Sequence, residues 1–103
     1  MKHSVRHGLD HGLAQKALHA AWKSYSERFS EYNPKANWKS DDEAEIEFSA
    51  KGIKLGGTLA VRGPNIEMEM KVPLLLRAFQ GKAVQVIDEE INRWVAKAKA
   101  GEL

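Results

Sequence analysis

Residues 43–72 alternate apolar and polar side chains in three stretches, and the alternation keeps one parity through both connecting turns. Ala44, Ile46, Phe48 and Ala50 interleave with Glu43, Glu45, Glu47 and Ser49. Ile53, Leu55, Gly57, Leu59 and Val61 interleave with Lys54, Gly56, Thr58, Ala60 and Arg62, and Ile66, Met68, Met70 and Val72 with Glu67, Glu69 and Lys71. A strand shows its two faces with a period of two, so the segment predicts three antiparallel strands buried on one side only. Turn chemistry sets the register. A two-residue loop at Lys51 and Gly52 places Phe48 opposite Leu55 and Ile46 opposite Gly57. A turn at Gly63 and Pro64 places Val61 opposite Ile66, Leu59 opposite Met68 and Gly57 opposite Met70. A one-residue slip in either pairing would turn every apolar side chain to water. On the wet face Glu47 and Lys71 lie within diagonal reach across Gly56, a contact worth only about a few tenths of a kcal/mol.

Such a sheet needs a cover, and two amphipathic segments supply it. Asp10 is suited to cap a helix starting at His11, with Leu9 placed to pack on Ala14 as a hydrophobic staple. Ala14, Leu18, Ala21, Trp22, Tyr25 and Phe29 then recur at spacings of three and four. Asn33 and Pro34 stop this helix near Ser30. A second helix is expected after Val72, with Pro73 where a missing N–H costs nothing and an apolar stripe of Leu76, Phe79, Ala83, Ile87, Ile91, Trp94 and Ala98. Gly81 leaves a kink or a break open there. Ala44, Ala50 and Gly57 on the sheet's inner face leave room for Trp22, Phe29, Phe79 or Trp94. Residues 3–7 suit a short edge strand with Val5 inward, and residues 37–40 another. A three-residue turn at the latter's end brings Trp38 inside, where a two-residue turn would leave it on the wet face. The expectation is one α+β domain spanning residues 1–103: an antiparallel sheet of four to five strands, one face covered by two helices, in the order β-α-β-β-β-β-α.

Composition narrows the function classes. The chain of 103 residues has no cysteine, which excludes disulfides and thiolate chemistry and suits a cytoplasmic location. Sixteen Lys and Arg against 14 Asp and Glu, with the signs mixed along the chain, do not mark a nucleic-acid binder. No apolar run approaches the ~20 residues of a transmembrane helix.

Chemistry-bearing residues are few. Four histidines fall within the first 19 residues. On a strand His3 and His7 stand ~13 Å apart, and on a helix His11 and His19 stand ~12 Å apart, so they cannot all reach one ion. Only His7 and His11, folded around the helix start, form a weak candidate pair, with the capping Asp10 as the sole nearby carboxylate. The serines lack a nucleophile-elbow glycine pattern, and Asp41, Asp42 and Glu43 have the character of a turn. Gly56 and Gly57 lie within a strand that leads to another strand, which is the wrong context for a phosphate loop. No cofactor or metal is called for.

One segment remains. Leu74, Leu75 and Leu76 cannot all face one side of a helix; with Arg77 and Phe79 they form a candidate apolar contact patch, flanked by Lys82. Packing of all three leucines at the strand-to-helix junction is the plainer alternative.

Arg6-His7-Gly8-Leu9 opening a helix, the glycine-punctuated hairpins, and Leu75-Leu76-Arg77-Ala78-Phe79-Gln80-Gly81-Lys82 before the last helix resemble the polyhydroxyalkanoic acid system family, small bacterial proteins encoded in polyhydroxyalkanoate granule gene clusters. The resemblance spans about residues 3–96. It implies a role at or near the polyester granule, with the granule surface or a granule protein as partner, and carries over no catalytic residues. Three readings follow: a non-catalytic granule-associated protein using the 74–79 segment; a carrier of a small apolar, acyl-type ligand in a helix-grip-like pocket; and a hydrolase of hydroxyacyl esters. A homodimer through an edge strand or exposed leucines stays open.

Overall fold

In a computed structural model that describes residues 1–50, 52–73, 77 and 80–103, leaving out the side chains of Ala50, Gln80, Lys82 and Ala83, the alternating segment forms the centre of a five-stranded antiparallel sheet. The elements are β1 (Lys2–Arg6), α1 (His11–Arg28), a 3-10 turn (Ser30–Tyr32), β2 (Lys35–Trp38), β3 (Glu43–Ala50), β4 (Ile53–Arg62), β5 (Asn65–Lys71) and α2 (Gln80–Lys99). Strands β2 to β5 run as a meander, and β1 closes the other edge beside β5, giving the order β1-β5-β4-β3-β2.

The register follows the parity. Phe48 faces Leu55 and Ile46 faces Gly57 across β3 and β4, while Val61 faces Ile66 and Leu59 faces Met68 across β4 and β5. Gly63 has a φ of 56°, the left-handed value that the first position of a tight hairpin turn requires, and glycine adopts it without steric cost. Ile46, Leu59, Ile66, Met68 and Met70 are all buried on the inner face, together with Val5 of β1.

Edge strand β2 corrects one boundary. It lies at 35–38, two residues before the expected position, because Asn33 turns left-handed (φ 50°) just ahead of Pro34 and frees the chain to extend from Lys35. Trp38 pairs with Ala44, and Ser40, Asp41 and Asp42 form the loop, with Lys39 N–H donating to the Glu43 carbonyl at 2.9 Å. The three-residue turn therefore holds, and Trp38 faces the helix layer.

Helix α1 begins where Asp10 caps it: the Asp10 carboxylate accepts from Leu13 N–H at 2.9 Å. Its Ala14, Ala17, Leu18, Ala21 and Tyr25 are buried, with Trp22, Phe29 and Leu9 half-buried at the margin. Helix α2 runs unbroken past Gly81 and buries Ile87, Ile91, Val95 and Ala98. The start expected at Pro73 falls against residues 74–76, 78 and 79, which lie outside the described residues.

Two packing details depart from expectation. A Cβ on Gly57 would collide with the Glu69 carbonyl oxygen and come within 2.5 Å of Met70 Sδ, so a neighbouring strand, not a helix aromatic, occupies the space beside this glycine. On the wet face Glu47 pairs with Lys54 at 3.8 Å and not with Lys71. Arg62 bridges Glu43 at 2.9 Å and Glu67 at 3.6 Å, the two cross-strand neighbours of Ala60, which is buried although it belongs to the outer face.

Candidate functional site

Three groups of polar side chains tie the elements together, two joining strands or their loops to the start of α1 and one joining the two helices. The first centres on His7, which continues the inner-face parity of β1 beyond Val5 and is buried. Its Nδ1 accepts from Leu9 N–H at 2.9 Å, so Nε2 carries the proton and donates to the Gly63 carbonyl at 2.8 Å. Both ring nitrogens are committed to protein partners.

The second group docks the first half of α1 on the β2–β3 loop. His11 Nε2 lies 2.8 Å from an Asp42 carboxylate oxygen, and Gln15 donates to the same oxygen at 2.6 Å. His19 reaches the Asp41 carbonyl at 3.0 Å and stacks on Trp38 with ring centroids 3.8 Å apart. His7 and His11 therefore have separate partners, and among the described residues no cluster of three or more His, Cys, Asp or Glu is placed to hold a metal ion.

The third group lies between α1 and α2. Glu90 is 3% exposed, yet it is a carboxylate. Arg28 donates to one of its oxygens at 2.7 Å; Arg93, at 2.5 Å, and the Trp94 indole N–H, at 3.0 Å, donate to the other. Arg93 also donates to Ser24 Oγ at 2.8 Å. Burial pushes the Glu90 pKa up, but hydrogen bonds from Ser24 and Trp94 and the charges of Arg93 and Arg28 outweigh it and hold the group below the ordinary glutamate value. Sequence reading passed over Glu90, although it sits three residues after Ile87 and four before Trp94, on the apolar stripe.

No hydrogen bond among the described residues joins a histidine nitrogen to a serine or threonine hydroxyl. The histidines instead meet Asp88, Gly63, Leu9, Asp42, Gln15 and Asp41. Between the helices and the sheet, Ala21, Trp22, Tyr25, Leu59, Met68 and Ile87 line a cavity of about 20 Å³. That is room for about one water molecule, whereas ligand pockets occupy roughly 300–1,000 Å³.

Of the candidate contact patch, Leu74, Leu75, Leu76 and Phe79 lie outside the described residues, and Arg77 is exposed. Elsewhere among the described residues the only large hydrophobic side chains classed as exposed are Tyr32 and Leu103. No described helix is long and apolar enough to cross a membrane.

Fold and polar groups together define a small α+β protein whose sheet is roofed on one face by two helices and whose histidines are tied up in structural contacts. Comparison with known families makes this more particular: the chain belongs to the family described as "Putative polyhydroxyalkanoic acid system protein", whose profile matches residues 2–95. No curated protein and no solved structure matches it.

Proposed function

We propose that the protein is a non-catalytic component of the polyhydroxyalkanoate system that contacts the polyester granule surface, or a protein on it, through the apolar segment 74–79. Family membership supports the setting. The observation that carries the choice of segment is where the apolar side chains have gone. Ile, Leu, Val and Met of the five strands and two helices are largely consumed in the core, and the described surface offers only Tyr32 and Leu103 as exposed large hydrophobics. In the sequence between β5 and α2, three leucines and a phenylalanine stand beside the exposed Arg77, an apolar concentration that the described surface does not match elsewhere. The carrier reading gains nothing from a cavity that admits about one water.

The test is co-sedimentation with isolated polyester granules. Wild-type protein is expected in the granule fraction, and the double substitution Leu75→Asp with Leu76→Asp is expected to release it while circular dichroism reports an intact fold. Retention of the folded double variant on granules would overturn the assignment.

A further inference from the structure

We propose that the seam between α1 and α2 is a binding site for a phosphate dianion, formed by Arg28, Arg93 and Lys97. The ion network there does more than neutralise a buried carboxylate. Glu90 carries one negative charge and has two cations on its oxygens, Arg28 and Arg93; a third, Lys97, stands beyond Trp94, with its ammonium 4.6 Å from the centroid of the ring whose N–H Glu90 accepts. Among the described residues no carboxylate other than Glu90 pairs with any of the three, so the seam carries an excess of two positive charges.

The same contacts fix the cations in place. Each guanidinium is anchored at one nitrogen by Glu90, and each lies against a ring, Arg28 over Phe29 at 5.4 Å and Arg93 over Trp94 at 5.7 Å. Their side chains are nevertheless 53% and 45% exposed, against 3% for Glu90. A guanidinium has five N–H donors, and the two hydrogen bonds of Arg93 and the one of Arg28 leave several available to water. Held donors on two helices, separated only by the width of one carboxylate, suit an anion whose oxygens diverge tetrahedrally, and a dianion balances the excess charge. Pre-organisation lowers the entropy lost on binding, because the side chains are already immobilised. The buried acid is thus a positioning residue. It costs desolvation, and in return it sets the spacing of the two forks.

The chemistry is that of a phosphate group, from a soluble phosphate or from a lipid headgroup, and the experiment separates the two. Inorganic phosphate is titrated at pH 8 and constant ionic strength, with chloride as the balancing ion, while the Trp94 indole N–H resonance is followed by NMR. A saturable shift is expected, with at least a fivefold weaker dissociation constant in Lys97→Gln and no change in Lys54→Gln on the opposite face of the sheet. Arg93→Lys keeps the charge and removes the fork, so it too should weaken binding, which keeps the test decisive if Lys97→Gln fails to fold. Sedimentation with phosphatidylcholine vesicles, with and without phosphatidic acid, forms the second arm: recovery only with phosphatidic acid assigns the phosphate to a lipid, and no recovery beside a positive titration assigns it to a soluble ligand. No saturable response in either arm, or an equal response in the folded Lys97→Gln and Arg93→Lys variants, overturns the proposal.

Discussion

His7 Nε2 donates to the carbonyl oxygen of Gly63 across 2.8 Å, joining the residue after β1 to the turn between β4 and β5. The backbone reinforces the link, since His7 N–H donates to the Pro64 carbonyl at 3.0 Å. Because Nδ1 also receives Leu9 N–H, one buried ring closes the edge strand, the central hairpin and the approach to α1 together. A side chain that first suggested metal ligation is a structural clasp.

Replacing that clasp should be costly. His7→Ala removes the side-chain partners of the Gly63 carbonyl and the Leu9 amide, two part-buried hydrogen bonds worth about 0.5–1.5 kcal/mol each, so a loss of about 1–3 kcal/mol is expected. Urea unfolding at neutral pH measures it. A change below about 0.5 kcal/mol would mean that water replaces the ring without penalty.

Adjacent glycines of β4 should respond in opposite directions. At Gly57 a methyl group would meet the Glu69 carbonyl oxygen and Met70 Sδ, and the sheet backbone on one side of that contact cannot swing away. Gly57→Ala is expected to destabilise by about 2 kcal/mol or more, at the upper part of the range for overpacking. Gly56 points to the outer face with nothing within 4 Å of an added Cβ, so Gly56→Ala should be neutral or gain up to about 1 kcal/mol through the unfolded chain. Thermal unfolding of the two variants side by side decides it; equal effects would contradict the packing.

Glu90 ties stability to acid pH. Its pKa is lowered in the folded state, so below the ordinary glutamate value of 4.5 the unfolded chain binds the proton first. The network's contribution is present above that pH and is lost as pH falls through the lower folded value. Wild-type stability, followed by urea midpoints from neutral to strongly acid pH, should therefore drop in that window more steeply than that of Glu90→Gln. At neutral pH the Gln variant should be less stable by about 1–3 kcal/mol, below the 3–5 typical of breaking a fully buried pair, because Arg28 and Arg93 can turn to water. Parallel pH profiles for the two proteins would exclude Glu90 as the source.

Which parts of this arrangement were legible in sequence depends on the range over which each residue acts. Parity and turn length act locally. They fix the pairing of Leu59 with Met68, place Val5 inward, and choose between two positions for Trp38. Asp10 needs only the amide three residues on. The Glu90 network is different, because Arg28 lies 62 residues away and no local pattern announces which cation will meet which acid. Its one local sign was an acidic residue on an apolar stripe. His7 carried a similar sign, in sharing the parity of Val5, but its partner Gly63 is 56 residues distant. The reason for Gly57 was also non-local: the expected neighbour was a helix aromatic, and the actual one is the backbone of β5.

Tyr25 supplies a last prediction, at the alkaline end. It packs between Trp22, Phe29 and Phe48, with ring centroids at 5.6, 5.0 and 6.3 Å, and lines the small cavity beside Glu90. Burial, with a smaller contribution from the charge of Tyr32, pushes its pKa up to about 12 from the usual 10.0. Removing the proton exposes a charge to an environment that cannot solvate it, so the folded state holds the proton longer than the unfolded chain does. The stability this provides is complete below pH 10 and disappears as pH rises through about 12, a total on the order of 2–3 kcal/mol. Ultraviolet titration of phenolate absorbance should show a late-ionising tyrosine that Tyr25→Phe removes. The same variant should flatten the alkaline fall in the urea midpoint, and a wild-type titration complete by pH 11 would mean that Tyr25 reaches water more freely than its packing allows.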